Sequence, residues 1–202
     1  VPMISNAGEV NIPVSGNSQW IMGFNEPDNP SQANLTPAQA ATLWRQIEQQ
    51  YPTRKLLSPA SNGDIANWLA DFRNAYIAAY NTPPRLDGLG VHCYRWLASQ
   101  CIPWIQQYET LASSWGVPEI WVTEFSFATN PNCGFGASPS QAVQMEQTFI
   151  NWMEGQSQVT RFAWFASKLP PGIELPNCFY TPLVDWNTLQ PTSYGNTYLP
   201  YR

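Results

Sequence analysis

The chain has 202 residues, of which 11% are charged and 14% aromatic, and its net charge is −5. With nine Lys and Arg residues in all and no basic run, we exclude nucleic acid as a partner. No apolar run approaches the roughly 18 residues of a membrane span, so we expect no membrane segment. Ten Trp and nine Tyr exceed what a core needs, and this favours a cleft where rings stack on a sugar.

Short apolar runs alternate with amphipathic stretches along the chain, which is typical of parallel βαβ units. The runs predict six strands: Val1–Ser5, Trp20–Glu26, Lys55–Ala60, Leu86–Tyr94, Glu119–Phe125 and Arg161–Ala166. Helical spacing predicts four helices: Ala38–Gln50, Ile65–Tyr80, Ile102–Trp115 and Ser140–Gly155. Thr36 and Pro37 provide the N-cap and first position of the first helix. We expect one α/β domain over residues 1–202, and the absence of a Gly-rich phosphate loop argues against nucleotides.

The four cysteines are Cys93, Cys101, Cys133 and Cys178. They show no CxxC spacing, and the lone histidine cannot complete a usual zinc site, so we expect no metal or other cofactor. An even cysteine count fits two disulfides in an oxidising compartment, and the sequon Asn34-Leu35-Thr36 also favours secretion. Three pairings are possible. We favour Cys93–Cys101 with Cys133–Cys178, because each bond would fix a loop that follows a strand.

Two of the predicted strands end in a glutamate. Glu26 closes one apolar run and precedes Pro27, which cannot donate to a sheet, and Glu124 closes another. In a parallel barrel both strand ends open on one face, where active sites lie. Glycoside hydrolysis needs such a carboxyl pair: about 5–5.5 Å apart for retention of configuration, about 6.5–9.5 Å for inversion. The alternative for each glutamate is a structural ion pair, for which Arg95 and Arg161 are candidates, or a loop cap.

Three segments also resemble the motifs of glycoside hydrolase family 128, the catalytic-core glycosidases. They are Gly23-Phe24-Asn25-Glu26-Pro27-Asp28, Gly90-Val91-His92-Cys93-Tyr94 and Trp121-Val122-Thr123-Glu124-Phe125. The resemblance covers almost the whole chain. It implies a (β/α)8 barrel of the large clan of retaining glycosidases, with β-1,3-glucan as substrate. On this reading Val1–Ser5 is the third barrel strand, and we expect the barrel to be N-terminally incomplete because strands one and two have no counterpart.

The resemblance also implies roles for individual side chains. Glu26 becomes the acid/base and Glu124 the nucleophile. Asn25 would hydrogen-bond the sugar 2-hydroxyl, and Tyr94 or His92 would orient the nucleophile. Trp164 resembles the ring on which the clan stacks the sugar.

Two of the aromatic or imidazole side chains have structural alternatives. His92 at a strand end is a satisfied core group in many proteins, although its place beside both glutamate strands favours a site role. Trp96 lies in a loop, where it would stack on a further glucose unit or pack under the Cys93–Cys101 loop.

These observations predict a secreted, monomeric, retaining endo-β-1,3-glucanase that hydrolyses laminarin-type glucan of fungal cell walls through Glu26 and Glu124. One alternative is a clan enzyme that acts on another β-glycan, such as cellulose, mannan or xylan. The other is a non-catalytic β-glucan-binding protein on the same barrel, although binding alone requires aromatic rings and not two strand-end carboxylates.

Overall fold

The computed structural model describes residues 1–61, 65–95, 97–127, 138–170 and 182–201. These residues form the strands β1 (Trp20–Met22), β2 (Lys55–Leu57), β3 (Leu89–Arg95), β4 (Ile120–Phe127) and β5 (Val159–Trp164). They also form the helices α1 (Pro37–Gln50), α2 (Ile65–Tyr80), α3 (Ala98–Trp115), α4 (Pro139–Glu154) and α5 (Ser193–Tyr198), and a 3-10 turn over Ala7–Glu9. The predicted α/β class is confirmed, with fewer strands in this part of the chain than the eight of a complete barrel. None of the described helices is both long and apolar enough to cross a membrane.

The helices follow the sequence signals closely. In α1 the Thr36 side chain accepts from the Gln39 backbone, and the Gln39 side chain accepts from the Thr36 backbone, which forms a complete capping box. Ser138 and Gln141 form the same box at the start of α4. The helix α3 begins four residues before its predicted start, and α5 was not predicted because it lies in a loop-rich tail.

Two compact units divide the described chain: unit 1 comprises Val1–His92 and Gln107–Trp121, and unit 2 comprises Cys93–Gln106 and the chain from Val122 onward. The strands β3 and β4 each begin in unit 1 and end in unit 2. The prediction of a single catalytic domain stays a prediction.

In unit 1, β1 and β2 pair in parallel, with Ile21 opposite Leu56. The segment predicted as strand Val1–Ser5 contributes one parallel bridge, Met3 to Met22, rather than a full strand. On the other side, Leu57 bridges Gly88 in parallel, just before β3. The neighbouring core includes the Trp20 and Trp121 rings, whose centroids are 4.5 Å apart.

The ladder between β1 and β2 is interrupted at Pro59, which explains why both strands are shorter than predicted. Gly23 donates to Leu57, but Pro59 has no N–H with which to continue the pattern. Bonding resumes when Ala60 donates to Phe24 and Glu26 donates to the Ala60 carbonyl at 2.8 Å. A side chain at Gly23 would meet the Trp44 ring at 2.7 Å and the Pro59 nitrogen at 2.8 Å, so this close approach requires glycine.

Unit 2 holds β5 together with the C-terminal parts of β3 and β4, bonded in the order β3-β4-β5. Its core is an aromatic cluster of Phe125, Phe127, Phe149 and Trp164, whose rings meet edge to face. The helix α5 completes this core, since Tyr194 stacks on Trp164.

One predicted disulfide is present in unit 2. Cys93 near the end of β3 is bonded to Cys101 in α3, as the preferred pairing required. The other predicted bond, Cys133–Cys178, involves residues outside the described part of the chain.

Candidate active site

The first glutamate centre lies in unit 1, where β1 leads into Glu26. The Glu26 backbone has a φ of 41°, in the left-handed region that glutamate rarely adopts. Such a conformation costs on the order of 1–3 kcal/mol, and outliers of this kind cluster at functional sites. The side chain is 7% exposed, and its Oε1 lies 3.1 Å from Nδ1 of His92, which is itself buried. Its Oε2 accepts a 2.8 Å hydrogen bond from Nδ2 of Asn29.

Opposing effects set the pKa of Glu26. Burial raises the pKa, because it disfavours the charged carboxylate, and this is the largest single effect. The hydrogen bonds from His92 and Asn29 and the charge interaction with His92 act in the opposite direction and together prevail. The pKa of Glu26 therefore lies below its ordinary value of 4.5, and the carboxylate form is favoured in the free protein.

The second glutamate centre lies in unit 2, at Glu124 within β4. The prediction that Glu124 ends its strand was wrong, because β4 continues to Phe127. Tyr94 donates a 2.5 Å hydrogen bond from its hydroxyl to Oε2 of Glu124. Both side chains are half-buried. The half-buried Phe165 ring meets the Tyr94 ring edge to face, with centroids 6.2 Å apart. Of the two residues expected to orient the predicted nucleophile, Tyr94 contacts Glu124 and His92 contacts Glu26.

The strand β3 carries the partners of both glutamates. His92 and Tyr94 are two residues apart on this strand, and side chains with that spacing leave the same face. One face of β3 therefore presents a partner to Glu26 and a partner to Glu124.

The other predicted site residues differ in their surroundings. The half-buried Asn25 sits directly before Glu26, and its amide nitrogen donates to Gln32 at 3.3 Å. Trp164 is 5% exposed and packs against Phe125 and Tyr194. Because Phe125 and Glu124 are adjacent on β4, their side chains leave opposite faces, and Trp164 lies on the face away from Glu124. Its role as a sugar platform stays a prediction.

Trp96 lies outside the described residues, so its predicted stacking role is untested. The alternative of an arginine partner finds no support at Glu26, whose partners are His92 and Asn29. The guanidinium of Arg95 lies over the Trp104 ring at 4.4 Å.

Two residues of these centres escaped the sequence analysis. Asn29 reaches Glu26 because the chain turns directly after the strand, with the Asn29 N–H donating to the Glu26 carbonyl at 2.9 Å. The sequence signal for this turn is the short Asn-Glu-Pro-Asp-Asn stretch. Phe165 follows Trp164 at the end of an apolar run, and alternation along the strand assigns the two rings to opposite faces.

Glu26 and His92 are residue types that can bind metal ions. The prediction that the reaction needs no metal or other cofactor stays a prediction. With His92 and Asn29 on Glu26 and Tyr94 on Glu124, both carboxyl groups are held in fixed orientations, which is what proton transfer and nucleophilic attack require.

Similar proteins support this reading. The chain resembles the structure of a family 128, subgroup II, endo-β-1,3-glucanase from Pseudomonas viridiflava, with 29% identity, a TM-score of 0.75 and coverage of 98% of this chain and 78% of the other. A glutamate-to-glutamine variant of an endo-β-1,3-glucanase from Amycolatopsis mediterranei, in complex with laminarihexaose, gives 25% identity, a TM-score of 0.74 and coverage of 98% and 80%. A curdlan-specific exo-β-1,3-glucanase from Blastomyces gilchristii shares the fold at 23% identity, a TM-score of 0.72 and coverage of 98% and 79%.

No curated protein matches the chain. The model of the family described as glycosyl hydrolase catalytic core matches residues 1–198, almost the whole sequence. The similar structures belong to family 128, so the resemblance drawn from the three motifs is confirmed. The chain therefore belongs to the glycosyl hydrolase catalytic core family and is a glycoside hydrolase.

Proposed function

We propose that this protein is a retaining endo-β-1,3-glucanase in which Glu26 and Glu124 form the catalytic pair. The observation that carries the proposal is the arrangement on β3, where His92 holds Glu26 and Tyr94 holds Glu124 from one face of one strand. The substrate class rests on the likeness to the Pseudomonas enzyme and to the Amycolatopsis enzyme with its laminarihexaose.

In the first step, Glu124 attacks the anomeric carbon and forms a glycosyl ester, while Glu26 gives a proton to the departing glycosidic oxygen. Tyr94 fixes the orientation of the Glu124 carboxylate through its hydrogen bond to Oε2. In the second step, Glu26 takes a proton from water, and the resulting hydroxide displaces Glu124 from the sugar with a second inversion at the anomeric carbon. Asn25, next to Glu26, would bind the 2-hydroxyl of the sugar that Glu124 attacks.

The first step requires a proton on Glu26, although its pKa is low in the free protein. A bound sugar would bury this carboxyl group further, and burial raises the pKa of a carboxyl group. His92 and Asn29 hold the two oxygens of this carboxyl group, at 3.1 Å and 2.8 Å, and so fix its direction towards the departing oxygen.

Azide rescue separates the roles of the two glutamates. The variants Glu26→Ala and Glu124→Ala would each be given an activated aryl β-laminaribioside and sodium azide. In Glu26→Ala the ester still forms and azide replaces it, so we expect a β-glycosyl azide. In Glu124→Ala azide attacks the substrate directly, so we expect an α-glycosyl azide. Exchanged anomers would reverse the assignment, and full activity of either variant without azide would refute the proposal.

Product analysis on laminarin separates endo from exo action, and this matters because the Blastomyces enzyme with the same fold is described as exo-acting. We expect a ladder of oligosaccharides early in the reaction. Glucose as the sole early product would contradict endo action. Cellulose, mannan and xylan serve as controls, and we expect no new reducing ends from them. Tight laminarin binding with no reducing ends would instead indicate a non-catalytic binding protein.

We also propose that the protein is secreted, acts on fungal walls and is a monomer. The Cys93–Cys101 bond supports secretion, because disulfides persist in oxidising compartments. Release of soluble sugar from purified fungal walls tests the substrate, and light scattering tests the monomer. Recovery of the native protein with both of these thiols reduced would contradict the proposed compartment.

A further inference from the structure

The turn that follows Val184 presents an exposed aromatic ring. Trp186 is 41% exposed, whereas the rings of Trp20, Trp44, Trp121 and Trp164 are buried. Leu189, in the same turn, is 60% exposed and has a φ of 56°, in the left-handed region. A large apolar side chain in that conformation and in water is unfavourable for the isolated fold. This favours a role of the turn in binding.

Hydrogen bonds hold this turn in one shape. Oδ1 of Asp185 accepts from the backbone of Asn187 at 3.1 Å, from the backbone of Thr188 at 2.8 Å and from the Thr188 hydroxyl at 2.9 Å. The Asp185 N–H donates to Gln190 at 2.9 Å. The ring is therefore attached to a preorganised turn, so a ligand that stacks on it would lose little free energy to ordering the protein.

A lysine covers one face of the exposed ring. The ammonium group of Lys168 lies 4.3 Å from the centre of the Trp186 ring, within cation–π range. The backbone fixes this pair as well, because Val184 bridges both Lys168 and Pro191. With one face held by Lys168, a ligand can stack only on the other face, and the ammonium group can donate hydrogen bonds at the edge.

The turn is also tied to the chain that leaves β5. Lys168 follows Phe165 by three residues, a reach of at most about 11 Å in extended chain. Phe165 contacts Tyr94, which donates to Glu124, and all of these residues belong to unit 2. Lys168 is therefore close along the chain to the residues around Glu124. A glucan chain with one sugar at Glu124 could place a further sugar near Lys168.

We propose that Trp186 and Lys168 form a subsite that binds a glucose unit of the β-1,3-glucan beyond the sugar that reacts at Glu124. The apolar face of the pyranose stacks on the open face of Trp186, and Lys168 donates to its hydroxyl groups. This subsite rests on the proposed function for the identity of the sugar. It gives a role to the exposed Trp186 ring and to the lysine that lies against it.

The experiment compares Trp186→Ala with Trp115→Ala, both in the Glu124→Gln background. Trp115 is a matched control, because this half-buried ring in unit 1 also lies under a cation, with Arg73 at 5.1 Å. Calorimetry would measure binding of laminaritriose and laminarihexaose to each protein. We expect the ratio of hexaose to triose affinity to fall about tenfold in Trp186→Ala and to keep its original value in Trp115→Ala.

The outcomes separate this subsite from the proposed function. Equal affinity ratios in the two tryptophan variants, with hydrolysis of laminarin by the unmodified protein, would overturn the subsite alone. Length-dependent binding that needs Trp186, without hydrolysis, would support the subsite and overturn the proposed catalysis. Absence of binding to laminarihexaose at millimolar concentration would overturn both. The variant Lys168→Met, which keeps the stem and removes the charge, should lower the ratio less than Trp186→Ala.

Discussion

Two buried glutamates, Glu26 and Glu146, show how neighbours decide the charge of a carboxyl group. Glu26 has His92 and Asn29 as partners, and its pKa lies below its ordinary value even though burial acts to raise it. Glu146 on α4 is fully buried, and neither of its oxygens has a partner among the described residues. Burial raises the pKa of Glu146 to about 8. The same residue type is therefore favoured as a carboxylate in one region and as a neutral acid in the other.

Burial alone therefore does not identify a reactive carboxyl group. An unpartnered buried glutamate is a cost to stability, whereas a buried glutamate held by two donors is fixed in charge and direction. Tyr198, whose hydroxyl donates to Phe162, interacts electrostatically with Glu146. Nothing in the described residues brings a reaction partner to Glu146, so we assign no chemistry to it.

The largest expected effect is a difference in catalytic activity between a variant of Glu26 and a variant of Glu146. We expect Glu26→Gln to lower kcat on laminarin by about 10²- to 10⁴-fold, because the amide cannot transfer the proton. Glu146→Gln should keep kcat within about twofold of the original protein. The measurement is the initial rate of reducing-end release, with circular dichroism as the control for folding. Comparable losses in both variants would break the distinction.

The next effect concerns stability and its dependence on pH. Glu146 has a pKa of about 8 in the folded protein and an ordinary value of 4.5. Between these values the folded state keeps a proton that the unfolded state releases. Stability therefore falls as pH rises, by up to about 1.4 kcal/mol per pH unit, and levels off above the folded pKa. We expect Glu146→Gln to remove this slope in urea unfolding measured from pH 5 to pH 8.

Glu154 gives the matched control for that slope. It lies at the end of the same helix and is exposed, so Glu154→Gln should leave the pH dependence of unfolding unchanged. Parallel stability curves for the original protein and Glu146→Gln would show that the Glu146 carboxyl group is not the source of the slope.

A third change removes one partner of Glu26, so that this buried carboxyl group becomes more similar to the unpartnered Glu146. His92→Phe removes the principal contact that lowers the Glu26 pKa and leaves the group buried, so this pKa should rise. With a higher pKa, Glu26 stays protonated up to a higher pH. The alkaline limb of the pH profile of kcat/KM should therefore shift to higher pH. The expected rate at the optimum is lower, because the orienting contact is lost. A shift to lower pH would contradict the assigned cause.

The smallest effect is expected from Asn29→Ala. It removes a single neutral hydrogen bond to Oε2, so the alkaline limb should move in the same direction as in His92→Phe but by less. Pro30→Ala serves as a neighbouring control, because Pro30 is next to Asn29 in the sequence and is exposed. A larger shift in Asn29→Ala than in His92→Phe would reverse the order of the two contacts.

Local sequence signals predicted the elements that depend on local physics. Thr36 and Pro37 predicted the start of α1, and Glu26 was found because it closes an apolar run directly before Pro27. The two shortened strands were not predicted, because the break arises from Pro59 opposite Gly23, a pairing between segments distant in sequence.

Orientation about an element was harder to predict than its position. Trp164 was assigned to the sugar from its place on the strand, and the burial of its ring against Phe125 and Tyr194 was not foreseen; the sugar role stays a prediction. Glu146 lies four residues after Ala142 and three before Phe149, both buried, so helical spacing contained the signal for an inward carboxyl group. That signal was overlooked because glutamate is normally assigned to the solvent face.

The two-residue spacing of His92 and Tyr94 on β3 has a consequence for how this chain can evolve or be engineered. Inserting or deleting one residue between them would send one partner to the opposite face, even if every side chain were retained. A substitution at His92 or Tyr94 changes one contact. A change in the number of residues between them would instead place the two partners on opposite faces of the strand. The number of residues between His92 and Tyr94 is therefore itself a functional property. A graft that joins this segment to another scaffold must preserve the alternation of side chains along the strand.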